Sequence, residues 1–151
     1  MQSSSVLSRT VGAAIFIVVA MFVWHSFGGG QSSAQAGTWY HGADGYEQAL
    51  AQQKSSGQPI LLYFHTEWCG YCKRLERDAL STPAFEQRYG SLLKVKVNPE
   101  SSSAEHKLAK DYAISGFPTI FIVSAGTPGE PIVGYGGADE FYSRLQQAAR
   151  N

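Results

Sequence analysis

Apolar residues along the 151-residue chain fall into runs of different length and period, and each kind of run predicts a different element. The longest, Val11 to Phe27 (VGAAIFIVVAMFVWHSF), is broken only by Gly12, His25 and Ser26 and offers no polar face. It predicts a membrane-targeting segment outside the fold. Tyr46, Ala49, Leu50 and Gln53 recur at helical spacing and predict a helix over Ala43 to Lys54, ended by Ser55 to Pro59. The short continuous run Ile60 to Phe64 (ILLYF) then predicts a strand buried on both faces. A helical stretch from Cys69 to Leu80 follows, Thr82-Pro83 breaks it, and a new turn runs to Tyr89 before Gly90. Leu92 to Val97 (LLKVKV) alternates as a strand does, and Ser102 with Glu105 has the spacing of a capping box that opens a helix to about Tyr112. Thr119 to Val123 reads as a strand, Gly126 to Pro131 as a tight turn, and Ile132 to Tyr135 as its hairpin partner. After Gly136-Gly137 a closing helix from about Ala138 to Arg150 turns Phe141, Tyr142 and Leu145 inward. The order α, β, α, β, α, β, β, α predicts an α/β domain with a central mixed four-stranded sheet flanked by helices on both faces.

This pattern divides the chain into a membrane anchor or signal sequence at 1–27, a linker at 28–37 rich in Gly, Ser, Gln and Ala, and one folded domain at 38–151. Arg9 precedes the apolar run and no charge follows it before Asp44, which orients the N-terminus to the cytoplasm and sends the domain across the inner membrane. A span needs about 20 apolar residues, a length reached here only by counting Gly28 to Gly30. Ala34-Gln35-Ala36 has the form of a cleavage site, so anchored and secreted forms both remain open. Either places the domain on the periplasmic side of the cell envelope.

Composition narrows the function classes. The chain carries 12 basic and 12 acidic residues, and setting Arg9 aside leaves 11 against 12, a balance that offers nucleic acid no electrostatic footprint. Two cysteines cannot build a disulfide framework, and a zinc site from Cys69, Cys72 and His65 lacks a fourth ligand.

Those two cysteines lie in Trp68-Cys69-Gly70-Tyr71-Cys72, between the buried strand and a helix. At a helix start, two thiols one turn apart can close into a disulfide and reopen. Cys69 meets unpaired backbone N–H groups and the positive end of the helix dipole, both of which favour a thiolate, so it is the candidate attacking thiol. Cys72 is then the resolving thiol. Glu76, four residues on, shares the helix face of Cys72. Spacing allows it to face the sheet as a proton relay or to turn outward beside Lys73 as a solvated ion pair. A protonated His65 near the thiolate would lower the Cys69 pKa further.

The Trp68 to Lys73 motif after one apolar strand and Gly116-Phe117-Pro118-Thr119 before another resemble the two signatures of the thioredoxin superfamily. Over about Tyr46 to Ala149 the chain is similar to periplasmic thioredoxin-like thiol:disulfide oxidoreductases, a group that includes the C-terminal domain type of the transmembrane thiol:disulfide interchange protein. The resemblance implies a cis peptide bond before Pro118, a substrate ledge at Phe117 and Pro118 opposite Cys69, and an apolar rim formed with Trp68. It implies a redox-active disulfide and no other cofactor, with cysteine-containing proteins as substrates; export adds the expectation of a membrane electron donor for re-reduction, because nothing in the cytoplasm reaches the domain directly. Two departures stand out. Many relatives carry a buried aspartate where this chain has Tyr63, and Gly70-Tyr71 replaces the Gly-Pro of thioredoxin between the cysteines, a pair that helps set redox poise. The expected function is an exported oxidoreductase acting as a reductase. The alternatives are a non-catalytic peptide-binding or chaperone-like module, and an oxidase or isomerase.

Overall fold

The computed structural model describes residues 38–150, so the expected targeting segment and linker lie outside the described residues. Strands are β1 (Trp39–His41), β2 (Ile60–Phe64), β3 (Leu93–Val97), β4 (Thr119–Ser124), β5 (Thr127–Pro128) and β6 (Ile132–Val133). Helices are α1 (Gly42–Ser56), α2 (Gly70–Leu75, continued by a π turn over Glu76–Leu80), α3 (Pro83–Tyr89), α4 (Ser103–Asp111) and α5 (Ala138–Ala148). Among the described residues no helix is long and apolar enough to cross a membrane.

β2 is central and wholly buried. It runs parallel to β3, from Ile60↔Leu93 to Phe64↔Val97, and antiparallel to β4, from Ile60↔Val123 to Phe64↔Thr119. Its side chains alternate between two cores. Ile60, Leu62 and Phe64 join Leu93, Val95, Val97, Phe121 and Val123 beneath α1 and α4, whereas Leu61 and Tyr63 join Ile120, Ile122, Leu75, Phe85, Phe141 and Leu145 on the face covered by α2, α3 and α5. Burying one such side chain stabilises the fold by about 1.5–3 kcal/mol, so a one-residue slip of β2 would forfeit both cores at once.

The sheet has six strands rather than the expected four, in the order β1-β3-β2-β4-β5 with β6 also on β4. β1 adds a parallel edge to β3 through three residues, too few for a period to register. β5 arises because Ala125 and Gly126 both take positive φ (50° and 77°), the two-residue hairpin geometry that folds Thr127 back onto Ser124. β6 stops at Val133, where Gly134 (φ 77°) turns away and donates its N–H to the Pro118 carbonyl at 2.8 Å.

Helix ends follow local chemistry. Gly57 closes α1 in the left-handed conformation, and the Thr82 hydroxyl accepts the Phe85 N–H ahead of Pro83. Ser102 caps α4 by accepting the Glu105 N–H. The Glu105 carboxylate does not complete the expected capping box: it accepts the Asn98 N–H at 2.8 Å and ties α4 to the end of β3.

Gln53 anchors α1 to the sheet through a buried amide. It donates to the Val123 and Gln58 carbonyls at 2.7 and 3.1 Å and accepts the Gly126 N–H at 2.8 Å. Gln53→Ala leaves these backbone groups unpaired and should lower stability by about 2 kcal/mol, read as a shift in urea midpoint. A loss below about 0.5 kcal/mol would mean that water replaces the amide without penalty.

Candidate active site

The loop after β2 delivers Cys69 to the N-cap of α2 with extended backbone angles (φ −72°, ψ 105°). Its N–H donates to the Thr66 carbonyl at 3.2 Å, and its Sγ accepts the Cys72 N–H at 3.1 Å. The sulfur thus takes one of the helix-end donors that otherwise have no partner, the position at which a thiolate is favoured. Cys69 and Cys72 form a disulfide with Cα atoms 5.2 Å apart. Both are buried, at 4% and 1% exposure, while the neighbouring Trp68 and Tyr71 are 69% and 55% exposed. An added Cβ at Gly70 would meet open space, so no packing constraint requires glycine there. The Arg74 guanidinium lies 4.4 Å from the Tyr71 ring centre and holds that ring by a cation–π contact.

The pairing of Phe64 with Thr119 sets the loop ahead of β4 beside the cysteine loop. The Phe117–Pro118 bond is cis, and Thr119 Oγ1 donates to the Gly116 carbonyl at 2.8 Å. Phe117 meets Trp68 edge to face with ring centres 6.3 Å apart. The Trp68 indole N–H also donates to the Glu100 carboxylate at 3.0 Å, so the exposed ring is fixed from two sides. Glu100 had no motif to mark it, since its role depends on the end of β3 meeting the cysteine loop.

Of the two placements that spacing allowed Glu76, the structure adopts the one facing the sheet. Its Oε1 accepts from the Tyr63 hydroxyl at 3.1 Å and pairs with Lys96 Nζ at 2.8 Å. Lys96 escaped the sequence reading, although its alternation with Val95 and Val97 was the available signal. Burial, reinforced by the Glu76 charge, raises the Tyr63 pKa well above the ordinary phenol value, so Tyr63 stays a neutral donor. His65 packs on Tyr63 with ring centres 5.3 Å apart. Burial first, and Lys96 second, push its pKa down. The imidazole is therefore held toward its neutral form. Among the described residues no group of three or more His, Cys, Asp or Glu side chains is placed to hold a metal ion.

A disulfide at the first turn of a helix, on a mixed sheet of this order, defines the class of thioredoxin-fold redox domains. The chain belongs to the thioredoxin-like domain family, whose model matches residues 46–149. It is 32% identical over 106 residues to the thiol:disulfide interchange protein DsbD of Salmonella paratyphi A, covering 68% of this chain and 18% of that protein's length. Among solved structures it is similar to the oxidised C-terminal domain of Neisseria meningitidis DsbD, with TM-score 0.64 and 23% identity over 74% of this chain and 99% of that one. It is also similar to DsbH oxidoreductase, with TM-score 0.61 and 25% identity over 70% and 81% of the two chains.

His65 gives a pH dependence with a defined sign. A histidine whose folded pKa lies below the unfolded value of about 6.5 leaves the folded state with fewer bound protons. Its contribution to stability is complete above that pH and is lost as pH falls below it. Urea midpoints at pH 7.5 and 5.0 should therefore fall further in the native chain than in His65→Gln. Equal losses would mean that His65 titrates alike in both states.

Proposed function

We propose that the chain is an exported thiol-disulfide oxidoreductase that reduces disulfides in partner proteins and is itself re-reduced by a membrane electron donor. The observation that carries this reading is the Cys69 sulfur capping α2 through the Cys72 N–H, with a buried resolving cysteine one turn on. The apolar N-terminal run supports export to the periplasmic side, and a domain displaced from cytoplasmic reductants needs a donor within the membrane.

In the reduced state the Cys69 thiolate attacks one sulfur of the substrate disulfide. A mixed disulfide forms and the first substrate sulfur leaves as thiolate, taking a proton from solvent. The Cys72 thiol then gives its proton to Glu76, and its sulfur attacks Cys69 Sγ. The bond from Cys69 to the substrate breaks, the second substrate sulfur leaves and is protonated, and the Cys69–Cys72 disulfide closes. Two electrons have passed from the dithiol to the substrate. Trp68, Phe117 and Pro118 form the ledge that receives the substrate chain, with Phe117 supplying backbone pairing. Gly70 and Tyr71 tune the redox poise.

Insulin reduction by the 151-residue chain with dithiothreitol as reductant tests this reading. Cys69→Ser should lose turnover, Cys72→Ser should accumulate the mixed disulfide, and Glu76→Gln should slow resolution by roughly tenfold or more near neutral pH. A Cys69→Ser protein as active as the native one would leave only the peptide-binding alternative. Equilibration with glutathione buffers reads the direction: a potential near the value of about −120 mV found for strong oxidants would replace reductase with oxidase.

A further inference from the structure

Among the described residues the large apolar side chains left exposed are Trp68, Tyr71 and Val133. Val133 stands opposite Thr119, the residue after Pro118, and the other two flank the cysteines. Trp68 precedes Cys69, and Tyr71 lies between Cys69 and Cys72. Each of these two rings is held by one charged side chain, and the charges are opposite. Both oxygens of Glu100 accept the Trp68 indole N–H, at 3.0 and 3.2 Å. The Arg74 guanidinium carbon lies over the Tyr71 ring, 4.4 Å from its centre.

The sheet sets these charges on opposite flanks of the site. Glu100 follows β3, on one side of β2, whereas β4 and β6 lie on the other side. Arg74 belongs to that second side. Burial raises the pKa of Tyr135, just past β6, and the charges of Arg77 and Arg74 oppose the rise. Helix spacing alone would have given Arg74 a partner within the chain, because Asp78 is four residues on. Asp78 is instead taken by Arg77, whose Nε and Nη2 meet its two oxygens at 2.7 and 3.1 Å. Among the described residues no carboxylate pairs with Arg74. A cation–π contact restrains a guanidinium without using a hydrogen-bond acceptor, so its planar fork of N–H donors stays available to a carboxylate from another molecule. Arg144, by contrast, gives Nη1 to the Val133 carbonyl at 3.1 Å.

We propose that Arg74 is a specificity-determining residue for thiol exchange: held by Tyr71, it receives a carboxylate of the partner polypeptide on the β6 flank of the disulfide, opposite Glu100. The proposal rests on the chain exchanging its disulfide with other proteins. A partner segment that crosses the site is then read by polarity. An acidic side chain on one side of its cysteine meets Arg74, and the same side chain on the other side meets the like charge of Glu100. Tyr71 is the positioning residue for the arginine.

Two capped peptides of equal composition and net charge test this: acetyl-Glu-Ala-Cys-Ala-Lys-amide and acetyl-Lys-Ala-Cys-Ala-Glu-amide, each supplied as its mixed disulfide with mercaptoethanol. One turnover passes two electrons from the reduced Cys69 and Cys72 to the peptide disulfide, releases the peptide thiol and mercaptoethanol, and closes the protein disulfide. Single-turnover rates are measured with the reduced 151-residue chain, and the ratio between the two peptides is taken within each variant. The native chain should consume one peptide about fivefold faster than the other at low salt, with a smaller ratio in about 0.5 M salt. Arg74→Gln should at least halve the ratio, Arg74→Glu should bring it to about one, and Tyr71→Leu should lower it with the arginine retained. Arg88→Gln removes an equal charge from a ring contact with Tyr142, between α3 and α5, and should keep the native ratio. Equal rates for the two peptides in the native chain overturn the role of Arg74 and leave the oxidoreductase reading standing. So does an Arg74→Gln protein that slows both peptides alike and keeps the ratio, because the charge then acts through the Cys69 thiolate. If the native chain consumes neither peptide, the oxidoreductase reading fails and the role of Arg74 falls with it.

Discussion

β2 pairs parallel on one edge and antiparallel on the other, and the site exists because of that asymmetry. The carboxyl ends of β2 and β3 and the amino end of β4 come to the same border of the sheet. Three loops far apart in sequence then converge: one brings Trp68 and Cys69, one brings Glu100, and one brings Phe117 and Pro118. The Trp68 contacts with Glu100 and Phe117 are the visible result. Each loop is short and its strand is buried, so the rim inherits the rigidity of the core without hydrogen bonds of its own to every neighbour.

The elements most legible in the sequence are those whose signal is local. Ile60 to Phe64 is apolar at every position, Pro83 follows a Thr cap, and the cysteine motif directly follows a strand. What the sequence concealed depends on partners. Trp39 to His41 is a strand only because β3 has a free edge to offer, and Thr127-Pro128 is one only because Ala125 accepts a positive φ. Glu105 had the spacing of a reciprocal cap, yet the backbone N–H of Asn98 lay closer to hand. The π turn from Glu76 to Leu80 carries no residue pattern that separates it from ordinary helix.

The candidate site divides in the same way. The two cysteines and Pro118 could be marked from motif alone, whereas the environment of Glu76 and His65 is set by the inward face of β3, which no motif describes. Tyr63 is the instructive case. As a departure from the family pattern it removes a carboxylate, and in the fold it becomes a hydrogen-bond donor to the carboxylate that remains. A phenol held neutral by burial adds no second negative charge beneath the disulfide, so Glu76 is free of the like-charge repulsion that a buried aspartate would impose.

The inward lysines of β3 also matter before the sheet closes. Leu92 to Val97 is a β-prone segment of the kind that stacks on copies of itself, and charges at alternate positions interrupt such stacking. By that general rule, Lys94 and Lys96 break the apolar run of Leu92 to Val97 wherever the segment is unpaired. When α2 and α3 arrive with Glu76 and Glu86, the same two charges become paired within the fold.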